Sequence, residues 1–179
     1  ADFVEVSVKL TDVRTTKDKV SCKKNGFGME MAAIISKDDV TTLVANAIEN
    51  ELRNRGFKIT EGSVQVDIEL NKFYNDFKVG LVSGSTTSEV IMTVRVKDLD
   101  GNINYAKCVT GLHTVGVMLF TGKNTKISLE VALKDAVSKL MHDSSFIAAL
   151  VKEAELDPEL IEQVEDKYPH LLEEPKSEE

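Results

Sequence analysis

The chain has 179 residues, 42% of them hydrophobic, enough for one sizeable core and an expectation of a single domain with an appendage. No apolar run approaches the roughly 18 to 20 residues that cross a bilayer, and no charged-then-apolar secretory signal opens the sequence, whose start at Ala1 fits either a processed product or a trimmed chain. The formal charge of −8 is unevenly spread: residues 153–179 hold eleven acids and two lysines, whereas the rest holds nineteen acids against twenty bases. A neutral body sets up no global field for nucleic acid, so no nucleic-acid partner is expected, and the acidic tail reads first as a solubilising extension.

Residues 3–13 alternate Val4, Val6, Val8 and Leu10 with Glu5, Ser7, Lys9 and Thr11, the pattern of a strand with one buried face. A polar connection with Lys17, Lys19, Lys23, Lys24, Gly26 and Gly28 follows, then an apolar run over 29–35 that reads as an edge strand. Asp38 or Asp39 supplies a helix N-cap. Val40, Leu43, Val44, Ala47, Ile48 and Leu52 recur at helical spacing behind it, and Gly56 is placed to end the helix in a left-handed conformation.

From Ser63 the period changes to two. Val64, Val66, Ile68 and Leu70 begin a strand that continues through Phe73 and Phe77, residues 80–85 read as a turn, and Val90, Met92, Val94 and Val96 form the next strand. Asp98, Leu99, Asp100 and Gly101 make a tight hairpin into a third strand over 102–115. Ser128 is read as the N-cap of a second long helix with an apolar stripe from Leu129 to Met141; helix restarts at Ser144 or Ser145. Asp157 and Pro158 open a short acidic helix over 158–167, and 173–179 are expected to be disordered.

The expected fold is α+β: an antiparallel sheet of four to five strands with two long helices packed on one face. Its order is β(β)αβββα followed by short C-terminal helices, with 1–152 as one domain and 153–179 as an acidic extension.

Chemistry is sparse in this pattern. His113, His142 and His170 stand apart from any carboxylate or cysteine at ligand spacing, and no zinc helix or Cys/His cluster occurs. The stretch 116–124 fails as a phosphate loop, because five residues separate Gly116 from Gly122 and Asn124 stands where a magnesium-binding hydroxyl belongs. Gly84 and Ser85 lack a nucleophile elbow, and Asp67 and Glu69 read as solvated strand residues. No catalytic, metal or cofactor site is expected. Lys17, Lys19, Lys23 and Lys24 form the one basic cluster, read as a solvated loop with phosphate contact as the sharper alternative. Cys22 and Cys108 are buried thiols in a reducing compartment or a possible disulfide in an oxidising one.

Three segments carry a resemblance. They are the helix end Asn54-Arg55-Gly56-Phe57, the strand Val66-Asp67-Ile68-Glu69-Leu70-Asn71-Lys72-Phe73-Tyr74, and Asp143-Ser144-Ser145-Phe146-Ile147 after the second helix. Together they resemble the YajG-like lipoprotein family of Gram-negative bacteria. The resemblance implies export, lipidation on an N-terminal cysteine lying ahead of Ala1, and a place on the periplasmic face of the outer membrane. It further implies a non-enzymatic accessory or structural subunit, in contact with other envelope proteins within a larger assembly such as a secretion system. An exposed edge strand would allow docking by strand addition. The alternative is a module for a small apolar ligand or lipid, lined by Phe73, Phe77, Met92, Met118 and Phe120. The acidic tail has no counterpart in the family pattern and reads as a lineage-specific docking segment.

Overall fold

The computed structural model describes residues 4–61, 64–78, 84–118 and 121–155. The chain runs β1 (Glu5–Asp12), β2 (Ser21–Lys24), β3 (Glu30–Ile34), α1 (Val40–Asn54), β4 (Lys58–Ile59), β5 (Val64–Lys78), β6 (Gly84–Lys97), β7 (Ile103–Val117), α2 (Gly122–Met141) and α3 (Ser144–Glu155). The α+β class is as the periodicity indicates.

Strand number and direction differ from the expected antiparallel sheet of four to five strands. Seven strands form one mixed sheet. β5 is its axis, with β6 antiparallel along its length and β7 antiparallel to β6. On the other side of β5 lie two shorter partners, both parallel to it: β1 beside Val64–Leu70, and β2 through Ser21 opposite Asn75. The physical reason is the connection. A crossover through α1 brings the chain back to the starting end of β1, so β4 and β5 run alongside β1 rather than against it. The lysine-rich stretch expected to be loop also contains β2, which pairs antiparallel with β3.

Alternation explains the long strands. Val64, Val66, Ile68 and Leu70 of β5 and Val90, Met92, Val94 and Val96 of β6 are fully or almost fully buried on the helix-covered face. Burying each such side chain is worth roughly 1.5–3 kcal/mol. An extra residue at Asn71 shifts the register between Leu70 and Lys72, so the buried series resumes at Phe73, Asn75 and Phe77. Of the turn expected over 80–85, Gly84 and Ser85 belong to β6 instead, and residues 80–83 lie outside the described residues. The Asp98 carboxylate accepts the Asn102 N–H at 2.7 Å, and Gly101 takes φ +83° to close the β6–β7 hairpin.

α1 ends as its sequence dictates. Asp39 accepts the Thr42 N–H at 2.8 Å and also bonds both threonine hydroxyls nearby. These bonds, that from Thr41 first, hold its pKa down at about 2. At the other end Phe57 N–H reaches Leu52 O and Gly56 N–H reaches Arg53 O, with Gly56 at φ +88°, a Schellman motif whose Phe57 and Leu52 both join the core.

α2 begins at a Thr121 cap, whose hydroxyl accepts the Asn124 N–H at 3.2 Å. Ser128 is therefore not the N-cap. It lies inside α2 with Thr125, and the two continue the buried stripe of Leu129, Ala132, Leu133 and Ala136 with polar residues. That substitution hid the first two turns from the apolar pattern. Gly111 is the contact point for α2 on β7: a Cβ there would meet the Ala132 carbonyl oxygen, and lie 2.6 Å from Ala136 N and 2.7 Å from Ala136 Cβ.

Asp143 joins α2 to α3. It accepts from Ser145 N–H at 3.0 Å, Tyr105 OH at 3.0 Å and Lys107 Nζ at 2.7 Å, while Tyr105 meets Phe146 edge to face with centroids 5.4 Å apart. Lys107 chiefly, with Tyr105 and the Ser145 amide, lowers the Asp143 pKa. The Asp143-Ser144-Ser145-Phe146 motif is thus a structural joint. α3 runs to Glu155; the rest of the acidic extension, with its expected helix over 158–167 and disordered end, lies outside the described residues.

Candidate functional site

The sheet face away from the helices is a lattice of cross-strand ion pairs. Asp67 meets Lys97 at 2.5 Å, Glu69 meets Arg95 at 2.9 Å, and Lys72 pairs with Glu89. Each carboxylate is matched by a cation, so Asp67 and Glu69 are occupied as partners within the sheet, in the manner of opposed charges on neighbouring strands.

The basic cluster is partly neutralised as well. Lys17 Nζ donates to the Asp12 carbonyl at 2.8 Å, Lys19 pairs with Glu30 at 2.7 Å and Lys24 with Asp76 at 2.6 Å, whereas Lys23 is exposed. Arg14, buried, is clasped through Nε and one terminal nitrogen by both Asp12 oxygens at 2.9 Å.

Cys22 and Cys108 are both free thiols, the first buried on β2 and the second exposed on β7. With β5 and β6 between them they lie at least about 14 Å apart at the strand spacing, well beyond the separation a disulfide allows. The possible disulfide is therefore corrected: the sheet register does not bring these residues together.

His113 lies on β7, and its charge interaction helps to lower the Asp135 pKa, below the larger effects of Lys139 and the Leu112 amide. His142 follows α2, and its Nδ1–H donates to the Ser138 carbonyl at 2.7 Å. His170 lies outside the described residues. Among those described, no group of three or more His, Cys, Asp or Glu could hold a metal ion. A shallow groove of about 530 Å³ beside the α2–α3 junction is lined by Lys107, Cys108, Thr110, Lys139, His142 and Asp143, and its lysines are held by Asp143 and Asp135.

The apolar ligand lining expected from Phe73, Phe77, Met92, Met118 and Phe120 does not converge. Phe73, Phe77 and Met92 are buried side chains of the sheet, Met118 is 89% exposed, and Phe120 lies outside the described residues.

Two features remain, a free sheet edge of the kind expected for docking and the arm that holds the expected 29–35 edge strand. The first is the free side of β7, which among the described residues pairs with β6 alone. At its middle, Leu112 N–H donates to Asp135 at 3.0 Å, and Lys139 donates to the Thr110 carbonyl at 3.0 Å while pairing with Asp135 at 2.7 Å. This clip occupies main-chain groups that a further strand would use. Alternation then turns the Thr114 and Gly116 main-chain groups outward too, beyond the clip. On α2 the part-exposed Val131 and Ile127 precede Asp135 and Lys139 on the same helical row. The signal in the sequence was two apolar residues standing off the buried stripe of α2.

The second is the β2–β3 arm. Its turn is built by Asn25, whose side chain accepts the N–H groups of Phe27 and Met29 at 3.0 Å each, with Gly28 at φ +82°. The turn presents Phe27 91% exposed, and Met29, Met31 and Ile35 are 60%, 67% and 67% exposed.

Solved structures share the fold. A DUF330 protein from Xanthomonas campestris superposes with a TM-score of 0.56 at 12% identity, over 83% of this chain and 84% of its own. A minor lipoprotein from Acinetobacter baumannii gives 0.50 at 10% identity, over 80% of this chain and 93% of its own. At such identities the likeness is one of fold. Among curated proteins none matches. A family model described as uncharacterized lipoprotein matches residues 1–151, and the chain belongs to that lipoprotein family.

Proposed function

We propose that this protein is a non-enzymatic accessory subunit of the YajG-like kind, lipid-anchored on the periplasmic side of the Gram-negative outer membrane. It serves a larger envelope assembly, for which a secretion system is one setting. Membership in a lipoprotein family supports a place at a bacterial membrane. The observation that carries the subunit reading is the free side of β7 beyond the Asp135–Lys139 clip, at Thr114–Val117. An extended segment of another envelope protein adds there as a strand, with main-chain bonds for affinity and alternate apolar side chains against α2 for selectivity.

Two experiments test this. Growth of the host on labelled fatty acid, followed by membrane fractionation, should place the acylated full-length product in the outer membrane; absence of label overturns the anchor. Gly116→Pro removes an outward donor at an edge, where proline is tolerated. It should abolish co-purification of partners with little change in Tm. An unchanged set of partners would overturn docking at this edge.

A further inference from the structure

The lysine cluster and the exposed apolar arm, which docking at β7 does not use, meet at one end of the molecule. β2 touches β5 at Asn75, close to the last residues of β5, and Lys78 pairs with Ser85 there. Val117, opposite Gly84, brings the exposed Met118 to the same end. α2 starts nearby, since a Cβ on Gly122 would lie 4.0 Å from Ile34 Cγ2, and Lys123 follows in its first turn. Exposed apolar side chains and lysines from four elements thus gather toward one end of the sheet.

Three properties decide what this end fits. It is preorganised: four main-chain and side-chain bonds close the turn at Asn25, so Phe27 is held outward by a built loop. It is basic: Glu30 and Asp76 are matched by Lys19 and Lys24, and Lys23, Lys78 and Lys123 are exposed beyond them. It is adaptable, because methionine side chains are unbranched and flexible. A shallow groove of about 360 Å³ is lined by Lys24, Gly26, Phe27, Gly28, Phe77 and Lys78, so the turn of the arm and the end of β5 share one opening.

We propose that this end is a membrane-surface contact. Phe27, Met29, Met31 and Met118 enter the acyl boundary of an anionic bilayer while Lys23, Lys78 and Lys123 meet its headgroup phosphates. Apolar burial and attraction to anionic lipid act together in such a contact. The complementarity of charge favours lipid over an uncharged apolar groove in a protein. β1 begins at the opposite end of β5, about 45 Å away at the usual rise per strand residue. The contact is therefore distinct from any anchor preceding β1.

The test is sedimentation of the full chain with vesicles of phosphatidylcholine alone and of phosphatidylcholine with one quarter phosphatidylglycerol, at low and at physiological salt. The chain should sediment with the anionic vesicles and less so as salt rises. A Phe27→Ser, Met29→Ser, Met31→Ser triple variant and a Lys23→Glu, Lys78→Glu, Lys123→Glu triple variant should each bind at least about tenfold more weakly. Leu99→Ser, at the far hairpin, should bind as the unchanged chain does. Circular dichroism of every variant checks the fold, which these exposed substitutions should leave intact. Failure of the unchanged chain to sediment, or equal sedimentation of the serine variant, overturns the proposal. So does an arm-dependent cross-link to a protein partner without vesicle binding, which would assign this end to that partner.

Discussion

The bulge at Asn71 divides the long strands into two halves that bury their helix-covered face by different means. Before it, Val66, Ile68 and Leu70 face Val96, Val94 and Met92, and the core there is aliphatic. After it, Asn75 is fully buried with Thr86 and Ser88. Its side chain bonds the Thr86 hydroxyl and accepts from Ser88 at 3.1 Å, and Ser21 Oγ donates to its carbonyl at 2.7 Å. An aliphatic core stabilises without direction, whereas a hydrogen-bonded one accepts a single register. The half that positions the β2–β3 arm is the half built from directional bonds. The second half buries Phe73, Phe77 and Val90 as well, so it adds directional bonds to an apolar core and uses them to place the exposed arm.

The largest test acts on both halves through α2, which packs across the sheet. Gly111→Ala would press a methyl into the α2 main chain. Because the atom met is main chain that cannot swing aside, the cost should exceed both the roughly 1–3 kcal/mol of an ordinary overpacked core and the loss at Leu70, read by denaturant titration. Within the aliphatic half, Leu70→Ala should cost about 2–5 kcal/mol, with the arm unchanged in amide exchange. In the polar half, Asn75→Ala strands two buried hydroxyls and should cost about 1–3 kcal/mol. Unlike Leu70→Ala, it should also raise exchange at Ser21–Lys24, and equal protection there would remove the distinction between the halves.

A smaller effect comes from acid. Asp39, Asp135 and Asp143 all have folded-state pKa values below the ordinary carboxylate value, Asp39 at about 2, so the stability they contribute is present above about pH 4. It is lost as pH falls through the folded values, and Tm should drop between about pH 4 and 2. Asp39→Ala should flatten the lowest part of that profile. The smallest effect is expected from Phe27→Ser, which removes an exposed ring and should leave Tm unchanged.

Much of the local structure was legible. Asp39 and Gly56 mark the ends of α1 by short-range chemistry, and Asp98 to Gly101 mark the β6–β7 hairpin in the same way. The start of α2 was not, because Thr125 and Ser128 occupy buried stripe positions with polar residues and the first cap lies further back at Thr121. The candidate surfaces were less legible still. The lysines could be counted, yet which of them meet Glu30 or Asp76 depends on residues up to 52 positions apart. The exposure of Phe27 and Met29 could not be read either, since an apolar run in a short strand looks alike whether its side chains are covered or bare.

By itself, the sequence determined the α+β class, the two long helices on one face, the period-two strands and the helix α1 with both caps, because these follow from periodicity and from bonds within a few residues. Only the tertiary structure decided that β1 and β2 run parallel to β5, that Cys22 and Cys108 lie apart, that the middle of β7 is closed by Asp135 and Lys139, and that apolar and basic residues from the arm, β5, β7 and α2 gather at one end. Strand direction and neighbourhood are set by how the whole chain buries its apolar surface, a sum over distant contacts that no local window contains.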